Sequence, residues 1–365
     1  MKKKPRIRII AGQLAALTLA ITTGCTHLGP KTVSVDRADY SMAIAESWKQ
    51  QTLLNIVKLR YNDLPVLLDV GSVISAYSIQ TGVSVNGTIS SQSASQGNFA
   101  SVGGSALYTD RPTITYVPMT GDKFRHVLIT AIEPRNVFTL IQAGYDAEFT
   151  LSLAVESLNG VRNRSTAGLI VREADPAFIR ALTLLRELQE AGVFGMQVDE
   201  DKTNKTFTGI IFFRRGDIPP DIAEKAAEIR RLLKMSPDQE KFVLTYAPAR
   251  GATNELAVNS RSMIQIMQAL AGCADVPEAH LKAHKVWAVP DRGSTPQTPE
   301  HNLRIFSGKQ KPVGAFAAVN YRGYWFWIDD DDQDTKRALT VIVLFFTLAE
   351  TGVPERLPLV TIPAQ

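Results

Sequence analysis

Apolar positions recur at helical spacing from about Arg37 to Tyr61, where Tyr40, Ile44, Trp48, Leu54, Val57 and Tyr61 fall near one face. Asp36 is placed to cap this helix, and Asn62, Asp63 and Pro65 stop it. Val66, Leu67, Leu68 and Val70 then predict a buried strand. From Val73 the period changes to two. Val73, Ser75, Tyr77, Ile79, Thr81, Val83, Val85, Gly87 and Ile89 occupy one set of positions, and mostly Ser, Gln, Asn, Thr and Gly lie between them. That pattern is a long amphipathic strand. Ser90 to Asn98 reads as a polar loop, and a second, weaker strand follows from about Phe99 to Thr109. The pair predicts an extended Ser/Gly-rich β-hairpin, with TITYV (113–117) after it.

Further along, residues 134–143 predict a short helix closed by Gly144, and Phe149, Leu151, Leu153 and Val155 alternate as a strand would. Asp175 and Pro176 open a helix that Gly192 closes. Strands at 193–198 and 206–213 come next, then a helix from Pro219–Pro220 to about Lys234. Strands at 242–247 and 255–259 precede a helix at 261–271, with Ser260 as its cap and Gly272 as its stop. Strands at 315–321 and 324–328 are joined by the turn Arg322-Gly323, and a last helix spans about 335–349. The fold class is α+β, with mixed helices and antiparallel strands and the long hairpin. Domain boundaries are expected at 1–24 (signal), 25–36 (tether), 37–172 (an α+β domain carrying the 70–117 hairpin) and 173–365 (a second α+β domain).

Composition sharpens one part of this picture. The chain is 365 residues long and 21% charged, yet the 40 residues from Val70 to Thr109 contain no Asp, Glu, Lys, Arg or His. The first 24 residues hold five of the 40 Lys and Arg and none of the 36 Asp and Glu, so the remainder carries 35 against 36, a net −1. The overall +4 therefore sits in the leader and gives no reason to expect nucleic acid as a partner.

That leader has a basic start (Lys2, Lys3, Lys4, Arg6, Arg8), an apolar stretch from Ile9 to Ile21, and small residues Thr22, Thr23 and Gly24 before Cys25. It resembles the lipobox of bacterial lipoproteins. The resemblance implies lipidation of Cys25, which becomes the mature N-terminus. Thr26 in place of Asp implies sorting to the outer membrane. The only other cysteine, Cys273, then has no partner in the chain. The tracts LLNIVKLRYNDLPVLLDVGSV (53–73), TITYVPMTGDKF (113–124) and YRGYWFWID (321–329) resemble a set of uncharacterised Gram-negative lipoproteins. That resemblance implies an envelope location on the periplasmic face and brings no activity or site residues with it.

Candidate chemistry is sparse. His280 and His284 share a helical spacing that suits a metal with Glu278 or Cys273, but Leu281 stands where a zinc-protease pattern needs Glu, and two histidines on an exposed helix are the simpler account. The acidic run Asp329, Asp330, Asp331, Asp332 and Asp334 lacks calcium-loop spacing and suits the start of the following helix. Trp325 and Trp327, on one face of a strand, are expected to pack in the core against the last helix. No phosphate loop and no G-x-S-x-G serine is present, and no cofactor is expected.

The hairpin is the leading functional feature, with Val73, Tyr77, Ile79, Val83, Val85 and Ile89 on its apolar side. The expected partners are the membrane, through lipid on Cys25, and an envelope protein or a second copy of the chain, through the hairpin. The expected function is a non-enzymatic binding or scaffolding component of an envelope assembly. An oligomeric pore that inserts residues 70–109, and a periplasmic hydrolase, are the alternatives.

Overall fold

The computed structural model describes residues 28–74, 77–88, 99–110, 113–165, 172–201, 206–216, 218–249, 251–286 and 303–349. Cys25, Ile89, the polar loop at 90–98 and the 291–300 loop lie outside them. The architecture is α+β. The chain forms two compact units, one of residues 1–45, 70–115 and 360–365 and the other of 46–69 and 116–359.

Helix α1 (Leu28–Arg60) begins well before the expected Asp36 cap, so residues 28–36 of the expected tether are helical. It ends where Asn62 takes a left-handed backbone, φ 57°. Strand β1 (Leu68–Ile74) pairs with β4 (Thr113–Pro118) in a two-stranded ladder. The stretch leading into β1 alternates rather than being buried throughout: Leu67 is buried while Val66 and Leu68 are exposed. Between β1 and β4, strands β2 (Tyr77–Thr88) and β3 (Phe99–Asp110) form an antiparallel ribbon.

The larger unit is built on a six-stranded sheet. After the short helix α2 (Gly121–Phe124), a π-helical turn over 125–129 buries Val127 and Leu128. Then come α3 (Pro134–Gln142), α4 (Ala147–Ala154), β5 (Val155–Leu158), β6 (Val161–Arg162), α5 (Pro176–Glu190), β7 (Phe194–Asp201), β8 (Thr206–Phe213), α6 (Pro220–Leu232), β9 (Lys241–Tyr246) and β10 (Glu255–Ser260). The strand order is β6-β5-β10-β9-β8-β7, antiparallel except for the β9–β10 pair. This sheet joins strands from both sides of residue 172.

Segment 147–154, expected as a strand, is the helix α4. Asp146 caps it by accepting a 2.7 Å bond from the Phe149 amide. Every residue of α4 but Glu148 is buried, Thr150 and Ser152 included, so apolar alternation over so short a window carries no period information. Helix α5 packs on both α4 and α6, and α3 lies against β7, β9 and β10.

Helices α7 (Met263–Ala271) and α8 (Glu278–Lys282) follow, then β11 (Phe306–Gly308), β12 (Ala315–Tyr321), β13 (Tyr324–Asp329) and α9 (Gln333–Ala349). The α7 cap is Ser262, which forms a capping box with Gln265, and not Ser260. Ser260 ends β10, and its hydroxyl donates to the Ile132 carbonyl. β13 is the central strand of a three-stranded antiparallel sheet, β11-β13-β12. Arg322 and Gly323, at φ 49° and 82°, make the tight turn that two-residue hairpins favour. Helix α9 packs on α7. Among the described residues no helix is long and apolar enough to cross a membrane.

Candidate interaction surface

Twelve successive residue pairs, from Tyr77↔Asp110 to Thr88↔Phe99, join β2 to β3 without a shift of register. Alternation divides the ribbon into two faces. Tyr77, Ile79, Thr81, Val83, Val85 and Gly87 occupy one face of β2, opposite Asp110, Tyr108, Ala106, Gly104, Val102 and Ala100 of β3. The other face is set by Ser78, Gln80, Gly82, Ser84, Asn86 and Thr88, opposite Thr109, Leu107, Ser105, Gly103, Ser101 and Phe99. On this second face Gln80, Gly82, Ser84, Asn86, Ser101, Gly103 and Ser105 are exposed.

The pairing accounts for the serine and glycine content. Ser84 Oγ donates to the Gly103 carbonyl at 3.4 Å, and Ser105 Oγ donates to the Gly82 carbonyl at 3.5 Å. A Cβ at Gly82 would come within 2.9 Å of Ser105 Oγ, and one at Gly103 within 2.9 Å of Ser84 Oγ. Each serine thus leans over the glycine opposite, and the glycine leaves it room. Val73 belongs to β1 and is half-buried, while Tyr77, Ile79, Val83 and Val85 occupy successive positions of one β2 face, Thr81 between them.

In the larger unit, α1 grips the segment that leads into β1. Asn55 donates to the Val66 carbonyl at 2.8 Å and accepts from the Val66 amide at 2.9 Å. Gln51 accepts from the Leu68 amide at 2.8 Å and donates to the Leu68 carbonyl at 3.2 Å. Residues four apart on a helix are separated by about 6 Å along its axis. Residues two apart on an extended chain are separated by about 6.6 Å. The two amides therefore match alternate residues of the strand and replace a neighbouring strand's hydrogen bonds. Beside this clamp an open pocket of about 50 Å3 is lined by Trp48, Leu67, Met119, Val343 and Phe346, and by Asp69. Asp69 is paired with Lys123 at 2.6 Å. The lining mixes these apolar side chains with Gln51, Thr52 and Thr347.

The histidines do not form a pair. Helix α8 ends at Lys282, and His284 lies beyond it in a left-handed conformation, φ 51°. His280 is buried, contrary to the exposed helix expected, and its Nδ1 lies 2.7 Å from Tyr61 Oη. Burial pushes the Tyr61 hydroxyl up to about 12, so it holds its proton beside His280. Burial, with Lys285 and Arg322 nearby, holds the imidazole below its ordinary value. Tyr61 also meets Tyr321 and Phe326 edge-on. Tyr321 donates to Asp63, and Arg322 pairs with the same carboxylate at 2.8 Å. The Tyr321 bond and the Arg322 charge hold Asp63 below the usual carboxylate range. This cluster locks the end of α1 to the β12–β13 turn. Among the described residues no group of three His, Cys, Asp or Glu could hold a metal. Cys273 is buried.

The acidic run serves the fold. Asp332 accepts from the Thr335 amide at 2.9 Å, Asp330 pairs with Lys336 at 2.8 Å, and Asp329 accepts from Trp327 Nε1 at 2.7 Å. The two tryptophans do not enter the core. Phe326 and Ile328 fill it, and Trp325 and Trp327, one residue out of phase, are half-buried on the opposite face. There Trp327 stacks on Phe306 at 5.7 Å, and Lys311 lies over Trp325.

Sequence reasoning missed the Gln51–Asn55 clamp and a buried polar network. In the network Glu156 accepts from Arg172 at 2.8 Å and from Arg261 at 3.2 Å, and Arg261 also donates to the carbonyls of Ser152 and Leu153. The clamp had a signal, namely two amides four apart beside an otherwise apolar helix face. The network had none, because its members come from distant parts of the chain. No family model, curated protein or solved structure matches the chain.

Proposed function

We propose that the chain is an outer-membrane lipoprotein, anchored by lipid on Cys25 and facing the periplasm. It serves as a non-enzymatic binding or scaffolding component of an envelope assembly. The β2–β3 ribbon is its interaction element, and the observation that carries the reading is the state of the ribbon's edges. A two-stranded ribbon has two open edges, and natural proteins blunt such edges with Lys, Pro, bulges or short strands. Here the strands are twelve residues long, in unbroken register, and free of Lys and Pro. Among the described residues no third strand pairs with either one. An isolated ribbon is marginal in water, so strand addition from another chain stabilises it. The leader and Cys25 support the location, because lipid on Cys25 would hold the body beside a bilayer.

The test uses the chain in its native membranes. Mass spectrometry of the mature N-terminal peptide should find acyl groups on Cys25. Cross-linking in cells should give discrete adducts that vanish when residues 77–110 are replaced by a short Gly-Ser turn. A bare or unprocessed Cys25, or adducts that persist without the ribbon, would overturn the proposal.

A further inference from the structure

We infer that β2–β3 ribbons from several copies of this chain join edge to edge into a closed antiparallel barrel, with the Tyr77–Gly87 face turned outward to a bilayer. The inference rests on the envelope location proposed above and names the partner as further copies of the same chain.

Three observations carry it. The first concerns charge. Between Asp69 and Asp110 the sequence has no ionisable Asp, Glu, Lys, Arg or His, and Asp110, the last residue of β3, is followed in the sequence by Arg111. A strand that serves only as a soluble partner has no need of such a purge, whereas charge on a lipid-facing strand is excluded.

The second concerns the faces. One carries Ile79, Thr81, Val83 and Val85 opposite Tyr108, Ala106, Gly104 and Val102, and the other carries Gln80, Ser84 and Asn86 opposite Leu107, Gly103 and Ser101. That is the apolar-out, polar-in alternation of a membrane barrel. Leu107 and Phe99 are the apolar exceptions on the polar side, and Asp110, opposite Tyr77, is the one charged residue on the apolar side, at its very end. Tyr77 and Tyr108 occupy the Asp110 end of the apolar face, where an aromatic girdle would meet the headgroups.

The third concerns length and closure. Twelve residues extend about 40 Å at ~3.3 Å each. Tilted by about 40°, they rise about 30 Å, the thickness of a hydrocarbon core. One ribbon cannot stand in lipid, because its edges would be unpaired there. A ring of copies places β2 of each beside β3 of the next, antiparallel throughout, and every edge meets a strand of equal length and matching phase. A strand from an unrelated partner would leave the second edge open. An aqueous lumen calls for about 16 strands, hence about eight copies.

The experiment takes the full chain with its anchor, extracted from native membranes and reconstituted into vesicles of phosphatidylethanolamine and phosphatidylglycerol. Wild type should conduct ions across a planar bilayer formed from the same lipids, and native mass spectrometry should find one discrete ring. Ser84→Asp, on the polar face, should conduct and shift selectivity towards cations. Val83→Asp, one residue away on the apolar face, should lower conductance events at least tenfold with an unchanged melting temperature of the body. Absence of conductance in wild type would overturn the barrel, as would equal behaviour of the two variants. A ring without conductance would overturn the barrel alone and leave the scaffold standing. Loss of both ring and cross-linked adducts would overturn the two proposals together.

Discussion

Tyr61 Oη and His280 Nδ1 lie 2.7 Å apart in a buried setting, with Arg322 above the tyrosine ring. The tyrosine keeps its proton, and its hydroxyl can donate to Nδ1 or accept from it, according to the imidazole tautomer. Protonating His280 would place a charge in a buried site beside the two cations Lys285 and Arg322. The folded-state value of His280 lies below the unfolded value of about 6.5. The unfolded chain therefore binds the proton more readily, and stability falls as pH drops through that value. Urea unfolding at pH 7.5 and pH 5 should show a lower midpoint at pH 5. His280→Gln should flatten this difference. Asp63, held low by Tyr321 and Arg322, loses its contribution only at more acid pH, so the two windows are separable. Tyr61→Phe should cost about 1–2 kcal/mol at pH 7.5 by leaving Nδ1 unpaired.

Glu156 holds two arginines of very different exposure. Arg172 is partly exposed, whereas Arg261 is 4% exposed and pairs with Glu156 at 3.2 Å. Glu156→Gln takes a carboxylate away from the buried Arg261 charge. Removing one member of a fully buried pair costs about 3–5 kcal/mol. Partial exposure of Glu156 and the carbonyl partners of Arg261 lower the expected cost to about 2–3 kcal/mol. Chemical denaturation of Glu156→Gln and Arg172→Ala should separate the two, with Arg172→Ala the milder. Equal losses would place the weight on Arg172 instead.

Elements marked by turn chemistry were legible in the sequence. Gly192 at φ 67° and the Arg322-Gly323 turn fall where local signals put them, because backbone strain at a single residue needs no tertiary context. Period-based readings were less secure. A helix buried at every position but Glu148 reads as alternation over eight residues, and that mistook α4 for a strand. Trp325 and Trp327 are correctly placed on one face of β13, but which face enters the core depends on β11, β12 and α9, and size alone pointed the wrong way. Of the candidate surface, the charge-free stretch and its period of two were visible. The pairing of serine over glycine was not, since it depends on register across the ribbon.

The start of α7 offers a contrast between two serines two residues apart. Ser262 accepts from the Gln265 amide and is bonded in return through the Gln265 side chain. Ser262→Ala should cost about 1 kcal/mol as a lost cap. Ser260 is no cap, and its buried hydroxyl satisfies the Ile132 carbonyl. Ser260→Ala should therefore cost about 1–2 kcal/mol by leaving that carbonyl unpaired. Only the Ser262 variant should raise amide exchange at Gln265, a difference that hydrogen exchange resolves directly. Raised exchange in the Ser260 variant would show that the helix start had been misplaced.

The amides of Gln51 and Asn55 give the approach to β1 its only side-chain hydrogen-bond partners on α1 among the described residues. Asn55 is fully buried and makes both bonds, so Asn55→Ala removes about 2 kcal/mol of stability. Gln51 is partly exposed, and water can replace it, so Gln51→Ala should cost under about 1 kcal/mol. The two substitutions should differ in reach as well as in size. Losing Asn55 frees Val66 and also disturbs the packing of Leu67 beneath it, whereas losing Gln51 frees only Leu68. Amide exchange should accordingly rise at Val66 and Leu68 together in Asn55→Ala and at Leu68 alone in Gln51→Ala. A double variant should lose more than either, and its melting temperature should fall by several degrees. Unchanged exchange at both residues would mean that the strand holds its course through β4, and that the clamp follows the strand instead of directing it.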